Sequence, residues 1–268
     1  MFKDITIGQY YPADSIVHSM DPRVKISLIF AFIISLFFIN NFISYFFVLL
    51  FLLMVIKLSK VPVRYVLKGL RPLRWIVLIT FIINVFFIPG EELINFGFAT
   101  ISKEGLRTAL LMAIRLTLLV MGTSLLTLTS SPIEMTDGIE ELLKPLKRLK
   151  VPSHEIAMMM TIALRFIPTL IEETDKIMKA QMARGADFES GNIINRAKNL
   201  VPLLVPLFIN SFRRADELAT AMESRCYRGG EGRTKLNELY LESKDYIAVV
   251  LCLIFFVVMI LLNHWSIL

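Results

Sequence analysis

Two arginines stand at matching places in two related stretches of this chain. Arginine is the side chain best suited to a planar, multidentate grip on a carboxylate or a cluster of carbonyls. The first stretch reads Asp175 … Ala180 … Arg184 and the second Asp216 … Ala221 … Arg225; both fit D-x4-A-x3-R, 41 residues apart. Taken singly, an arginine at the end of a helix complements the helix dipole and needs no other purpose. Taken as a pair at equivalent positions, Arg184 and Arg225 read as two anchors for a partner.

The other reactive side chains form no catalytic set. His18 and His154 have no ligand partners at helical spacing and read as structural. Cys226 and Cys252 lie in different contexts, one polar and one apolar, with no C-x-x-C pattern and no disulfide framework. Gly229-Gly230-Glu231-Gly232-Arg233-Thr234 is glycine-rich, but it lacks the Lys-Ser ending of a phosphate loop and follows no predicted strand. There is no H-E-x-x-H. No Asp or Glu falls inside an apolar run, which argues against a proton-coupled carrier and against an intramembrane metal-dependent transferase. The expectation is therefore a non-catalytic chain with no cofactor and no metal. Met158, Met159 and Met160 suit either core packing or an exchangeable surface. Arg115 is the one charge well inside an apolar run, and both a structural pairing with a nearby carbonyl and a functional role stay open for it.

The elements that must hold the two arginines are set by hydropathy. Of the 268 residues, 55% are hydrophobic and the mean hydropathy is +0.63, which marks an integral membrane protein. A net charge of +6 then speaks of topology rather than of nucleic acid. Five apolar runs are near membrane-spanning length: Val24–Asn40, Phe42–Ile56, Leu73–Ile88, Leu106–Leu128 and Tyr246–Leu262. Asp21-Pro22 caps the first, Asn40-Asn41 separates it from the second, and Pro89-Gly90 stops the third. Residues 1–25 are polar and indicate no cleaved signal peptide. The link from Lys57 to Arg74 carries six basic residues and no acid, whereas Gly90 to Gly105 is mostly acidic. The positive-inside rule places the first link in the cytoplasm, with the N-terminus inside and the C-terminus outside the cell membrane.

This gives an all-α, polytopic protein with about five transmembrane helices and long cytoplasmic or interfacial helices. Its regions are 1–129 (four spans), 130–245 (the segment carrying the arginines) and 246–268 (the last span). Between Ser130 and Asp245 there are 17 Lys/Arg and 17 Asp/Glu, so this is not a polybasic lipid-binding tail. Three helices are expected there. Ser131-Pro132-Ile133-Glu134 is a capping box, with Pro145 as a kink further on. The second helix is capped by Ser153 and ends at Arg184, with Gly185 in a left-handed turn. The third opens at Gly191-Asn192 and ends near Arg225. Each long helix is apolar in its first half and polar in its second, suited to lie at the inner interface and present its end to a soluble partner. A seven-span alternative, with Ile156–Ile171 and Leu200–Ile209 crossing, places a charge in the bilayer at Arg165.

Several separate anchors resemble the transmembrane (T) component of energy-coupling factor transporters. The opening Gly8-x-Tyr10-x-Pro12-x-Asp14-Ser15-x-x-His18-x-x-Asp21-Pro22-Arg23-x-Lys25 is similar to that family's start. Leu143-Lys144-Pro145-Leu146, Val151-Pro152 and Ala163-Leu164-Arg165-Phe166-Ile167-Pro168-Thr169 resemble its central signature. Ala183-Arg184-Gly185 resembles the first of two Ala-Arg-Gly motifs, and Ser224-Arg225-Cys226 occupies the place of the second, with Ser for Ala and Cys for Gly. Without glycine a left-handed turn at position 226 costs more, so α-helix is expected to continue further there than after Arg184. The resemblance implies that two cytoplasmic ABC-type ATPase subunits each hold one long helix at Ala183, Arg184, Gly185 or at Ser224, Arg225, Cys226. It implies in addition a small membrane substrate-binding (S) subunit and import of a vitamin or metal ion, with no nucleic acid as partner. A membrane scaffold or signalling anchor without transport uses the same helices, and a membrane-embedded enzyme needs a buried polar cluster that the sequence does not display.

Overall fold

The computed structural model describes residues 10–95, 100–188, 193–230 and 239–265. In chain order the helices are α1 (Pro22–Phe38), α2 (Phe42–Ser59), α3 (Val63–Lys68), α4 (Arg74–Phe87), α5 (Lys103–Thr129), α6 (Pro132–Leu143), α7 (Ser153–Ala183), α8 (Ile193–Ser224) and α9 (Ser243–Trp265). A 3-10 helix spans Lys144–Leu149, and the strands β1 (Glu92–Asn95) and β2 (Thr100–Ser102) form an antiparallel hairpin between α4 and α5. The described residues divide into two compact units, one made of 10–138 and 239–265 and the other of 139–230.

The first unit is a membrane bundle. All five expected apolar runs are helical, as α1, α2, α4, α5 and α9. By length and composition α2, α5, α7 and α9 are each able to cross a membrane; α7 is the least apolar of them, with a mean hydropathy of 1.3 in its best window against 2.9 for α9. The outer surface of the bundle carries Phe30, Phe37, Phe46, Leu50, Met54, Leu251 and Leu261 exposed. A helix apolar on every side belongs in hydrocarbon. The protein is thus an all-α, polytopic membrane protein.

In hydrocarbon the hydrophobic effect does little to join helices, so tight packing and polar ties decide which ones associate. The packed seam runs through Phe32, Leu36 and Ile39 of α1, Tyr45, Val48 and Leu52 of α2, Leu118, Met121 and Leu125 of α5, and Phe256 and Met259 of α9. Gly122 lets α5 approach α1: a Cβ there would stand 2.5 Å from the Phe32 ring. A largely apolar cavity of about 450 Å³ lies between these helices, with Lys25, Thr129 and Lys244 among its lining residues.

Polar ties hold both ends of the bundle. Asp21 caps α1 by accepting from the Arg23 amide at 2.8 Å, with Pro22 in the first turn as expected. The Asp21 amide in turn donates to the carboxylate of Asp245, which is buried at the start of α9, at 2.9 Å. Lys25 donates to the carbonyls of His18 and Thr129 at 2.9 and 3.0 Å. At the other end Arg115 reaches from α5 into the α1–α2 turn. Its Nε donates to the Tyr45 hydroxyl at 2.8 Å, and its Nη2 donates to the Ile39 carbonyl and the Asn40 side chain at 2.8 and 2.9 Å. Of the two roles open for this arginine, the structure shows the pairing. Asn263 of α9 completes the knot: its oxygen accepts from the Asn40 amide and the Asn41 side chain, and its nitrogen donates to the Phe38 carbonyl. His18 is held by Ser15 and the Tyr11 carbonyl, a structural role as expected.

The second unit carries the two arginines. The helix that leads into it, α6, opens with the expected capping box: the Glu134 amide donates to the Ser131 hydroxyl, and the Ser131 amide donates to the Glu134 carboxylate, both at 3.2 Å. Pro145 does not kink a continuous helix. The chain tightens into the 3-10 helix there and ends at Lys150, in the left-handed region at φ 64°. Ser153 is the first residue of α7 rather than its cap; Pro152 holds the cap position, where a missing N–H costs nothing. Gly191-Asn192, expected to open the third long helix, lies outside the described residues; α8 is described from Ile193.

Candidate partner-docking site

The two arginine motifs end their helices in the same way, bond for bond. After α7, the amides of Arg184, Gly185 and Ala186 donate to the carbonyls of Gln181, Met182 and Gln181, each at 3.0 Å. After α8, the amides of Arg225, Cys226 and Tyr227 donate to the carbonyls of Met222, Glu223 and Met222 at 3.1, 2.9 and 3.0 Å. This is the left-handed closure that satisfies the last carbonyls of a helix. Gly185 takes the left-handed position at φ 89°, and Cys226 takes it at φ 58°.

The expectation that α8 continues past Arg225 is therefore corrected. It ends at Ser224, and the cysteine accepts a conformation that glycine adopts freely. The Cβ penalty at one residue is on the order of 1–2 kcal/mol. The hydrogen bonds of the closure offset it, because they leave fewer carbonyls unpaired at the helix end.

Ala183, Arg184, Gly185, Ser224, Arg225 and Cys226 are all exposed. Among the described residues, neither guanidinium makes a hydrogen bond or an ion pair. Each is a free planar cation at a helix end, flanked by small residues that permit close approach.

The helices that present them are antiparallel. Glu173 of α7 meets Asn210 and Arg214 of α8, Gln181 meets Pro202, and Gly230, just past α8, packs on the ring of His154 at the start of α7. Arg184 and Arg225 consequently stand at opposite ends of the pair. From the level of Pro202 to Arg225 is 23 residues, about 35 Å of α-helix. The Glu173 contacts leave no signal in the sequence, because they join residues about 40 apart through the fold alone. Met159 is exposed and its neighbours Met158 and Met160 are half-buried. His154 pairs with Glu140 at 3.0 Å. Among the described residues there is no cluster of three or more potential metal ligands.

A bilayer-embedded helical bundle with two matched, exposed arginine turns on a separate helix pair defines a polytopic membrane subunit. A family profile described as cobalt transport protein, CbiQ, matches residues 13–236. The chain is 59% identical over 267 residues to the energy-coupling factor transporter transmembrane protein EcfT of Clostridium kluyveri, covering 99% of each chain. It is 52% identical over 267 residues to the protein of that name from Acidaminococcus fermentans, covering 100% of this chain and 99% of the relative. It is 50% identical over 251 residues to that of Bacillus subtilis, covering 93% and 95%. The chain belongs to this family, the transmembrane components of energy-coupling factor transporters.

Proposed function

We propose that this chain is the scaffold that couples ATP hydrolysis by two cytoplasmic ABC-type ATPases to import through a separate small membrane subunit that binds the substrate. The observation that carries the reading is the matched pair of exposed arginine turns at opposite ends of one antiparallel helix pair. Each ATPase takes one helix end into a groove and meets the guanidinium with carboxylates or carbonyls. When ATP draws the ATPases together, the separation of the grooves changes and the helix pair must follow. The pair is then the element whose states both partners bias. The substrate, a vitamin or a metal ion, is read by the other membrane subunit.

In the cell membrane the basic link around α3 faces the cytoplasm together with α6–α8, and the C-terminus faces outside. The pair α7–α8 lies at the inner interface of the membrane.

Arg184→Glu combined with Arg225→Glu tests the reading. Both side chains are exposed at helix ends, so the substitutions leave the bundle intact. The expected outcome is loss of ATPase co-purification in mild detergent with an unchanged thermal transition. Retention of both ATPases at native strength overturns the docking role. A chain that purifies without ATPases, from membranes that contain them, supports a scaffold with no transport task.

A further inference from the structure

The face of α8 turned toward its own unit runs Leu203, Leu207, Asn210, Arg214, Leu218 and Met222, all buried or half-buried at spacings of three and four. Asn210 and Arg214 break this apolar stripe at its centre. A polar group in an otherwise apolar helix seam costs stability and fixes register. Here the group answers a single carboxylate, Glu173, mostly buried on α7. Its Oε1 accepts from Asn210 Nδ2 at 2.6 Å, and Arg214 Nη2 stands 2.7 Å from Oε2.

A second tie has its own cause. Pro206 lacks an N–H, so the Pro202 carbonyl loses its partner within α8. The Gln181 side chain reaches that carbonyl at 3.4 Å. Glu173 and Gln181 are eight residues apart, and so are Asn210 and Pro202. The ties are thus about 12 Å apart on either helix, in one antiparallel register. A single tie leaves a pivot, whereas two ties fix an angle. The second lies at the residue whose carbonyl closes the Arg184 turn.

We propose that Glu173 is a positioning residue that sets the crossing of α7 and α8, and with it the separation of Arg184 and Arg225. Its part in transport rests on the docking role proposed above. The bond to Asn210 is directed, whereas the approach of Arg214 lies off hydrogen-bond geometry and acts as a Coulombic contact. Such a contact tolerates a change of angle. The crossing is defined in the resting state and still able to shift when the ends are pulled.

The test uses the full chain assembled with its ATPases and substrate-binding subunit in lipid nanodiscs. Spin labels replace Met182 and Glu223 in a Cys226→Ser, Cys252→Ala background, and the label-to-label distance distribution is read. Glu173→Leu with Asn210→Leu and Arg214→Leu keeps the seam filled and removes the polar set; the distribution is expected to widen roughly twofold. The exchange Glu173→Arg with Arg214→Glu is expected to restore the narrow distribution. Glu173→Gln, which keeps an acceptor for Asn210, covers the case in which the triple variant does not fold, and is expected to widen the distribution to a smaller extent. An unchanged distribution in whichever variant folds overturns the proposal. Substrate imported per ATP is measured on the same samples. A widened distribution with unchanged import per ATP leaves Glu173 as the residue that sets the crossing and removes its part in transport. Absence of the ATPases from the unlabelled assembly of the unsubstituted chain indicts the docking role instead.

Discussion

At the scale of the residue, the left-handed turns give the sharpest expectations. Cys226 bears a Cβ where glycine would not, so Cys226→Gly is expected to relieve about 1 kcal/mol and raise the thermal transition of the purified chain, with ATPase capture retained. Gly185→Val is the opposite experiment. A Cβ at Gly185 would meet nothing within 4 Å, so its penalty comes from backbone conformation alone. Loss of the α7 end-turn and weaker ATPase capture are expected, with no change in the packing of the bundle. If Gly185→Val binds ATPases as tightly as the parent, the turn is not what presents Arg184. The turn after Arg184 was legible in the sequence because glycine after a polar helix end is a local signal. The turn after Arg225 was not. Residue preference there points away from φ > 0, and the closing hydrogen bonds from Cys226 and Tyr227 override it.

At the scale of the element, sequence and structure agree at two of the local caps, although Pro152 rather than Ser153 holds the cap position of α7. Asp21-Pro22 and the Ser131–Glu134 box fall where they were read, since each needs only partners within three residues. The contacts that join elements were hidden. Nothing in the spacing of Arg115 names Ile39 and Tyr45, which lie 76 and 70 residues away, and only packing of α5 against the α1–α2 turn brings them together. That knot carries its own expectation. Arg115→Met removes three hydrogen bonds to oxygen from a charged donor, and a loss of about 2–4 kcal/mol is expected given that such bonds are each worth more than neutral ones. The thermal transition in detergent measures it. Arg115→Lys is expected to recover only part, because an ammonium cannot reproduce the planar fork that spans Tyr45, Ile39 and Asn40. Full recovery by lysine would show that charge alone matters there.

At the scale of the whole molecule, the orientation proposed from loop charge can be read on the two cysteines. Cys226 is exposed beside Arg225, whereas Cys252 is partly covered within α9. For the chain expressed without partners, a membrane-impermeant maleimide is expected to modify Cys226 in inverted vesicles and not in intact cells, and to spare Cys252 in both. Modification of Cys226 from outside would reverse the proposed topology. The helix that holds Cys252 also dictates how the protein can be made. Both termini of α1 finish their bonding on α9: the Asp21 amide on the Asp245 carboxylate, and the Phe38 carbonyl on the Asn263 side chain. These partners lie 224 and 225 residues further along the chain. Helix α1 therefore leaves the ribosome long before α9, and waits for it before its ends are satisfied. A nascent chain stopped short of α9 lacks these partners at both ends of α1, a recognisable mark of incompleteness for whatever retains or degrades unfinished membrane proteins.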